Sequence, residues 1–129
     1  MTPIRNDTNT ILKRSFYKRN TVVVAKDLLG KMLVSTVGNA VVSGTITETE
    51  AYGAENDPAS HAFRGITERN KAMFGTVGCA YVYFIYGMHY CLNTVARDGI
   101  SDWCNVYLAL GLCDCDKMSS CPDLLSSFI

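Results

Sequence analysis

The sequence predicts a mixed α+β fold: a single domain with a curved, mainly antiparallel sheet, short flanking helices and a protruding β-hairpin. Three observations predict it. The chain has 129 residues, 48 % of them hydrophobic, which suffices for one core but not for two. Residues 31–52 and 78–93 each read as two strands around a turn. Only short helical patterns accompany them, and no repeat, low-complexity stretch or linker interrupts the chain.

Residues 1–15 are polar and basic without periodicity, which marks an N-terminal extension expected to fray. Val22 to Leu29 fits strand or helix, but Ala25-Lys26-Asp27-Leu28-Leu29 followed by Gly30 has the form of a last helical turn with its cap. Lys31 to Val37 reads as a strand, Gly38-Asn39 as a turn and Ala40 to Tyr52 as a longer strand. Alternation then predicts Ile46, Glu48, Glu50 and Tyr52 on one face, with Thr45, Thr47, Thr49 and Ala51 on the other. Two carboxylates and a tyrosine could form a solvated edge. Carboxylates are depleted in strands, however, so the group is also a catalytic candidate.

A loop from Gly53 to Gly65 carries Asp57-Pro58 as a turn signal and His61, a residue type more often a surface group than a catalyst in such a setting. Thr67 to Phe74 predicts a short helix with Thr67 as N-cap and Glu68 in its first turn. The run Gly78 to Asn93 is aromatic and β-branched and breaks only at Tyr86-Gly87-Met88-His89. Most such runs are core hairpins. Here Tyr86 falls at the tip, where no core can cover it, and Tyr83, His89 and Asn93 make the run partly polar. An exposed ring on a stiff tip is a shape that proteins insert between stacked bases.

Twelve basic and twelve acidic residues give no net charge, which argues against broad polyanion binding. The basic residues nevertheless cluster, as Arg5, Lys13, Arg14, Lys18 and Arg19, and as Arg64, Arg69 and Lys71. The chain opens with no apolar signal segment and has no membrane-length run, so its six cysteines are expected to be reduced thiols in an intracellular protein. Cys104, Cys113, Cys115 and Cys121 crowd the last quarter without the spacing of a zinc site.

The motifs Glu-Thr-Glu-Ala-Tyr (48–52), Asp-Pro-Ala-Ser-His-Ala (57–62), Arg-Asn-Lys-Ala-Met-Phe-Gly (69–75) and Tyr-Val-Tyr-Phe-Ile-Tyr-Gly-Met-His-Tyr-Cys-Leu-Asn (81–93) together resemble the alkyladenine, or 3-methyladenine, DNA glycosylase family. Ala-Lys-Asp-Leu-Leu-Gly-Lys (25–31) fits the same family, and the likeness runs from about Phe16 to Asp98. The resemblance implies a monomeric base-excision enzyme, without metal or cofactor, that flips alkylated or deaminated purines out of double-stranded DNA and hydrolyses them away. It implies Glu50 as general base, Tyr52, His61, Tyr83 and Asn93 around the extruded base, and Tyr86 as the intercalating wedge. No lysine among these residues offers a Schiff base, so a monofunctional enzyme is expected, in the cytoplasm or nucleoid of a prokaryote or the nucleus of a eukaryote. A shared pocket sets a condition that spacing leaves open: Tyr83 and Asn93 share a face only if the hairpin loop is Tyr86-Gly87-Met88, with Ile85 opposite His89.

The likeness ends near Ile100. The expected organisation is therefore an extension (1–15), a partial glycosylase domain (16–100) and a divergent tail (101–129), as from a truncated or frame-altered gene, with the fold incomplete at its C-terminus. Within the tail, Asn105-Val106-Tyr107-Leu108-Ala109-Leu110 is apolar but lacks the Arg and Glu-Pro of the family. Two other readings remain at this level: a non-catalytic nucleic-acid-binding module with an aromatic stacking platform, and an inert fragment.

Overall fold

The computed structural model describes residues 11–53, 56–98 and 102–111. Helices α1 (Arg14–Tyr17) and α2 (Thr21–Leu28) precede β1 (Met32–Val37) and β2 (Ala40–Tyr52). A long loop with one 3₁₀ turn (Lys71–Phe74) leads to β3 (Ala80–Ile85), β4 (His89–Asp98) and β5 (Asp102–Gly111). The strands form one antiparallel sheet in the order β1-β2-β5-β4-β3. The expectations for residues 1–10 and 112–129, including Arg5, Cys113, Cys115 and Cys121, lie outside the described residues.

Local propensity alone would not make α2 a helix, since three consecutive valines favour a strand. The Asn20 side chain accepts from the backbone N–H groups of Val22 (3.1 Å) and Val23 (3.3 Å), satisfying two donors of the first turn. Val24, Ala25 and Leu28 then recur on one side and pack against Ile46, Leu92, Val106 and Leu108. Burying each large side chain contributes about 1.5–3 kcal/mol, enough to override the valines. The chain leaves the helix at Gly30, whose φ is +77° and whose N–H donates to the Ile46 carbonyl (2.8 Å).

A β-bulge overturns the simple alternation of β2. Ile46 is opposite Leu110, while Glu48 is already opposite Ala109, so Thr47 is an extra residue. Ile46 therefore faces α2 and joins the helix-side core. Thr49 faces the same way, donating its hydroxyl to the Ala25 carbonyl at 2.9 Å. Glu48, Glu50 and Tyr52 project from the opposite face, without the Ile46 that alternation grouped with them. One inserted residue thus reverses the strand's faces at its midpoint.

The second face of the sheet is covered by the 56–79 segment. Ala62, Met73 and Val77 pack there on Tyr81 and Val95. The helix expected from Thr67 to Phe74 is reduced to the single 3₁₀ turn, preceded by a turn in which Asn70 N–H donates to Thr67 Oγ1 (3.3 Å). Thr67 does cap, but it caps this turn. Tyr17 packs against both hydrophobic clusters. A Cβ on Gly78 (φ +79°) would lie 2.8 Å from the Tyr17 ring, so only glycine fits there.

The hairpin of β3 and β4 pairs Ile85 with His89 and Tyr83 with Cys91, the register a common pocket demands. Strand β5, formed by residues beyond the family likeness, occupies the centre of the sheet between β2 and β4. None of Cys79, Cys91 and Cys104 is in a disulfide.

Candidate active site

Residues that pair laterally across a sheet point to the same side. Glu50 pairs with Tyr107, Tyr107 with Asn93, and Asn93 with Tyr81. One row thus crosses four strands on the face away from α2. Tyr52 and Tyr83 lie on the same face, two residues further along β2 and β3.

Glu50 is solvent-exposed, and Tyr52 donates its hydroxyl to Glu50 Oε2 at 2.6 Å. That bond is the leading cause that pushes the Tyr52 hydroxyl up to about 12, with burial and the charge of Glu50 adding to it. Tyr52 therefore stays protonated as a donor across the physiological range and fixes one oxygen of the carboxylate. The Gly53 N–H donates to Asp57 Oδ2 (2.8 Å), closing the loop beyond β2.

His61 comes from that loop and meets the β3 tyrosines. Its ring lies 4.0 Å from the Tyr83 ring, centroid to centroid, and its Nδ1 shares a 3.0 Å hydrogen bond with the hydroxyl of buried Tyr81. The Tyr81 and Tyr83 rings are 5.4 Å apart. At these separations the His61–Tyr83 pair forms one continuous aromatic wall, with no room for a base between its members. Burial, and then the positive charge of Arg69, lower the His61 pKa and favour neutral imidazole. Burial is likewise the leading cause raising the hydroxyls of Tyr81, Tyr83 and Tyr107, with Cys91 adding to the latter two.

Buried Asn70 holds this loop. Its side-chain amide donates to the carbonyls of His61 (2.8 Å) and Gly65 (2.9 Å), and its oxygen accepts from Thr67 N–H (2.6 Å). Asn93, a member of the row on the Tyr83 face, is fully buried. Tyr86 stands apart at the hairpin tip, 84 % exposed, with φ +54° followed by Gly87 at +70°. Two successive positive φ values and the Met88 N–H to Ile85 carbonyl bond (3.2 Å) are features of a primed hairpin turn. A tyrosine there carries strain of about 1–3 kcal/mol, an expense a solvated tip would avoid with Asn or Gly.

The structure brings Glu50, Tyr52, His61, Tyr83 and Asn93 onto one face, Asn93 buried within it, and sets Tyr86 apart at the hairpin tip. Sequence reasoning missed Tyr81, Tyr107 and Asn70. Tyr81 had a signal, because it shares the parity of Tyr83; Tyr107 was the only polar ring in its apolar run. Asn70 had none, since buried asparagines are recognised by their partners.

The antiparallel sheet thus carries a carboxylate and an aromatic wall on one face and an exposed ring on its hairpin tip. The sequence profile of the methylpurine-DNA glycosylase (MPG) family matches residues 15–102, and the chain belongs to that family. Similar proteins include provisionally named 3-methyladenine DNA glycosylases. That of Sodalis glossinidius is 59 % identical over 92 residues, 70 % of this chain and 52 % of that protein. One from Wolbachia pipientis subsp. Culex pipiens (strain wPip) is 60 % identical over 89 residues, 69 % of this chain and 46 % of the relative. Another, from Carboxydothermus hydrogenoformans, is 56 % identical over 85 residues, 66 % and 44 % respectively. The chain spans about half the length of these relatives.

Proposed function

We propose that this protein is a monofunctional DNA glycosylase of base-excision repair. Its substrate is duplex DNA bearing alkylated or deaminated purines of the 3-methyladenine, hypoxanthine or ethenoadenine type, and it acts inside the cell as a monomer. Support comes first from one observation: the bulge at Thr47 turns Glu50 onto the sheet face that carries the His61–Tyr83 wall.

Tyr86 enters the duplex and fills the gap left by the extruded nucleotide. The purine stacks on the His61–Tyr83 wall, with the Tyr52 ring on its other side. Each stacked ring contributes roughly 1–3 kcal/mol, comparable with the cost of unstacking, so bases that already pair badly are favoured. With Tyr52 on Oε2, Glu50 Oε1 is left to hold a water. That water attacks the sugar C1′ carbon as the bond to the purine nitrogen breaks; Glu50 takes the proton and the purine leaves with the bonding electrons. The carboxylate also stabilises the positive character of the sugar. Asn93 rejects the exocyclic amine of guanine. Because it is wholly covered, a purine edge reaches it only after the side chains above shift. Lys71, the lysine within the loop motif, pairs with Glu68 at 2.7 Å on the surface and has no part in this chemistry.

The test is direct. Duplexes carrying hypoxanthine, ethenoadenine or 3-methyladenine are incubated with the protein and then treated with alkali. Breaks at the lesion that disappear with Glu50→Gln support the proposal. Binding without breaks points to a nucleic-acid-binding module, and neither binding nor breaks rejects both readings.

A further inference from the structure

Two adjacent residues reach in opposite directions. Asn70 ties down the loop that carries His61, as its bonds to the His61 and Gly65 carbonyls show. Arg69, one residue earlier and exposed, donates through Nη2 to the carbonyl of Phe84 on β3. Phe84 is two residues from Tyr86, and β3 is an edge strand, so among the described residues its outward carbonyl has no strand to pair with. The same guanidinium lies close enough to His61 to act on its charge state.

The hairpin needs such a support. Phe84, Tyr86, Met88, His89 and Tyr90 are all exposed, and among the described residues neither core cluster reaches the tip. A ring that must enter a base stack works only if its mount resists bending and lies in fixed relation to the pocket that receives the base.

We infer that Arg69 is a positioning residue that mounts the Tyr86 hairpin on the His61 loop, so that wedge and pocket move as one body. Asn70 supplies the pocket end of the link and Arg69 the wedge end. The inference rests on the glycosylase reading for its functional half, while the mechanical half stands on the free protein. An arginine whose only task is to cap an edge carbonyl would affect stability and leave the partnership with Tyr86 untouched.

A double-mutant cycle on a hypoxanthine duplex separates the two. Arg69→Gln is expected to slow excision about tenfold, as for loss of one charge-assisted hydrogen bond. Arg69→Gln with Tyr86→Ala is expected to be no slower than Tyr86→Ala alone, because an unmounted wedge and an absent one fail alike. Arg69→Lys, which keeps a cationic donor, should recover part of the rate. Losses that multiply in the double variant overturn the inference. Amide hydrogen exchange of the free protein is the second measurement: Arg69→Gln should accelerate exchange at residues 85–88 and leave β4 and β5 protected. If the unaltered protein excises no lesion, the glycosylase reading fails by itself, and exchange decides the mount. Unchanged protection at 85–88 rejects it, whereas accelerated exchange confined there upholds it.

Discussion

The two faces of the sheet are held differently. On the helix side, Val24, Ala25 and Leu28 meet Ile46, Leu92, Val106 and Leu108, and the contact is apolar. On the other side, an apolar cluster of Ala62, Met73, Val77, Tyr81 and Val95 is joined by the Glu50–Tyr52, His61–Tyr81 and Asn70 bonds, which fix a polar, aromatic surface by direction. Apolar packing tolerates small shifts of position, while a hydrogen bond at 2.6–3.0 Å does not. Both faces therefore supply stability through apolar packing, and the site face adds geometry through its directional bonds.

Glu50→Gln should sharpen this contrast most. Excision is expected to fall about 10²–10⁴-fold, the usual worth of a general base, with the urea unfolding midpoint unmoved because Glu50 is exposed. Leu28→Ala is the mirror experiment. It should lower the unfolding free energy by about 2–5 kcal/mol while folded molecules keep their excision rate, measured at a temperature where folding is complete. Gly78→Ala strikes the seam where Tyr17 joins both clusters; strained backbone and a 2.8 Å contact should together lower stability by about 1–3 kcal/mol.

Smaller effects follow on the site face. Tyr81→Phe removes the partner of His61 Nδ1 and should lower stability by about 1 kcal/mol in denaturant titration. It should also loosen the His61 ring, visible as broadened imidazole resonances. Tyr52→Phe removes the hydroxyl that holds Glu50, and its cost in stability should be present at neutral pH and fade in alkali. The Tyr52 hydroxyl ionises near its ordinary 10.0 in the unfolded chain but near 12 in the folded one. Its stabilising contribution is complete below pH 10 and is lost as pH climbs towards 12. The Phe variant should therefore lose stability less steeply across that window, as followed by thermal unfolding at successive pH values.

Much of the architecture was legible in the sequence, for identifiable reasons. Strand β2 begins and ends where the turn at Gly38-Asn39 and the loop at Gly53 require; spacing left the hairpin register open, and the condition that Tyr83 and Asn93 share a face selected the observed pairing of Ile85 with His89. Alternation failed at Thr47, because an inserted residue changes no composition and is seen only against its partner strand. A hint was present: Ile46, the apolar residue of the Thr-Ile-Thr-Glu-Thr-Glu run, fell in phase with carboxylates that belong in water. The short helix at Thr67–Phe74 was overestimated because Asn70, which local rules place in a turn, is buried there as a loop anchor. The place of β5 could not be read locally, since strand order depends on pairings far apart along the chain.

That strand order bears on when the sheet can close during synthesis. The ribosome delivers β2 and the β3–β4 hairpin as two separate pieces, and the strand that zips them side by side is the last of the five to emerge. A nascent chain stalled before residue 102 would carry the acid and the rings on ribbons with no common frame, their neighbouring edges open to stray pairing. The five-stranded sheet would close in a single late step, when ten residues slot into the gap.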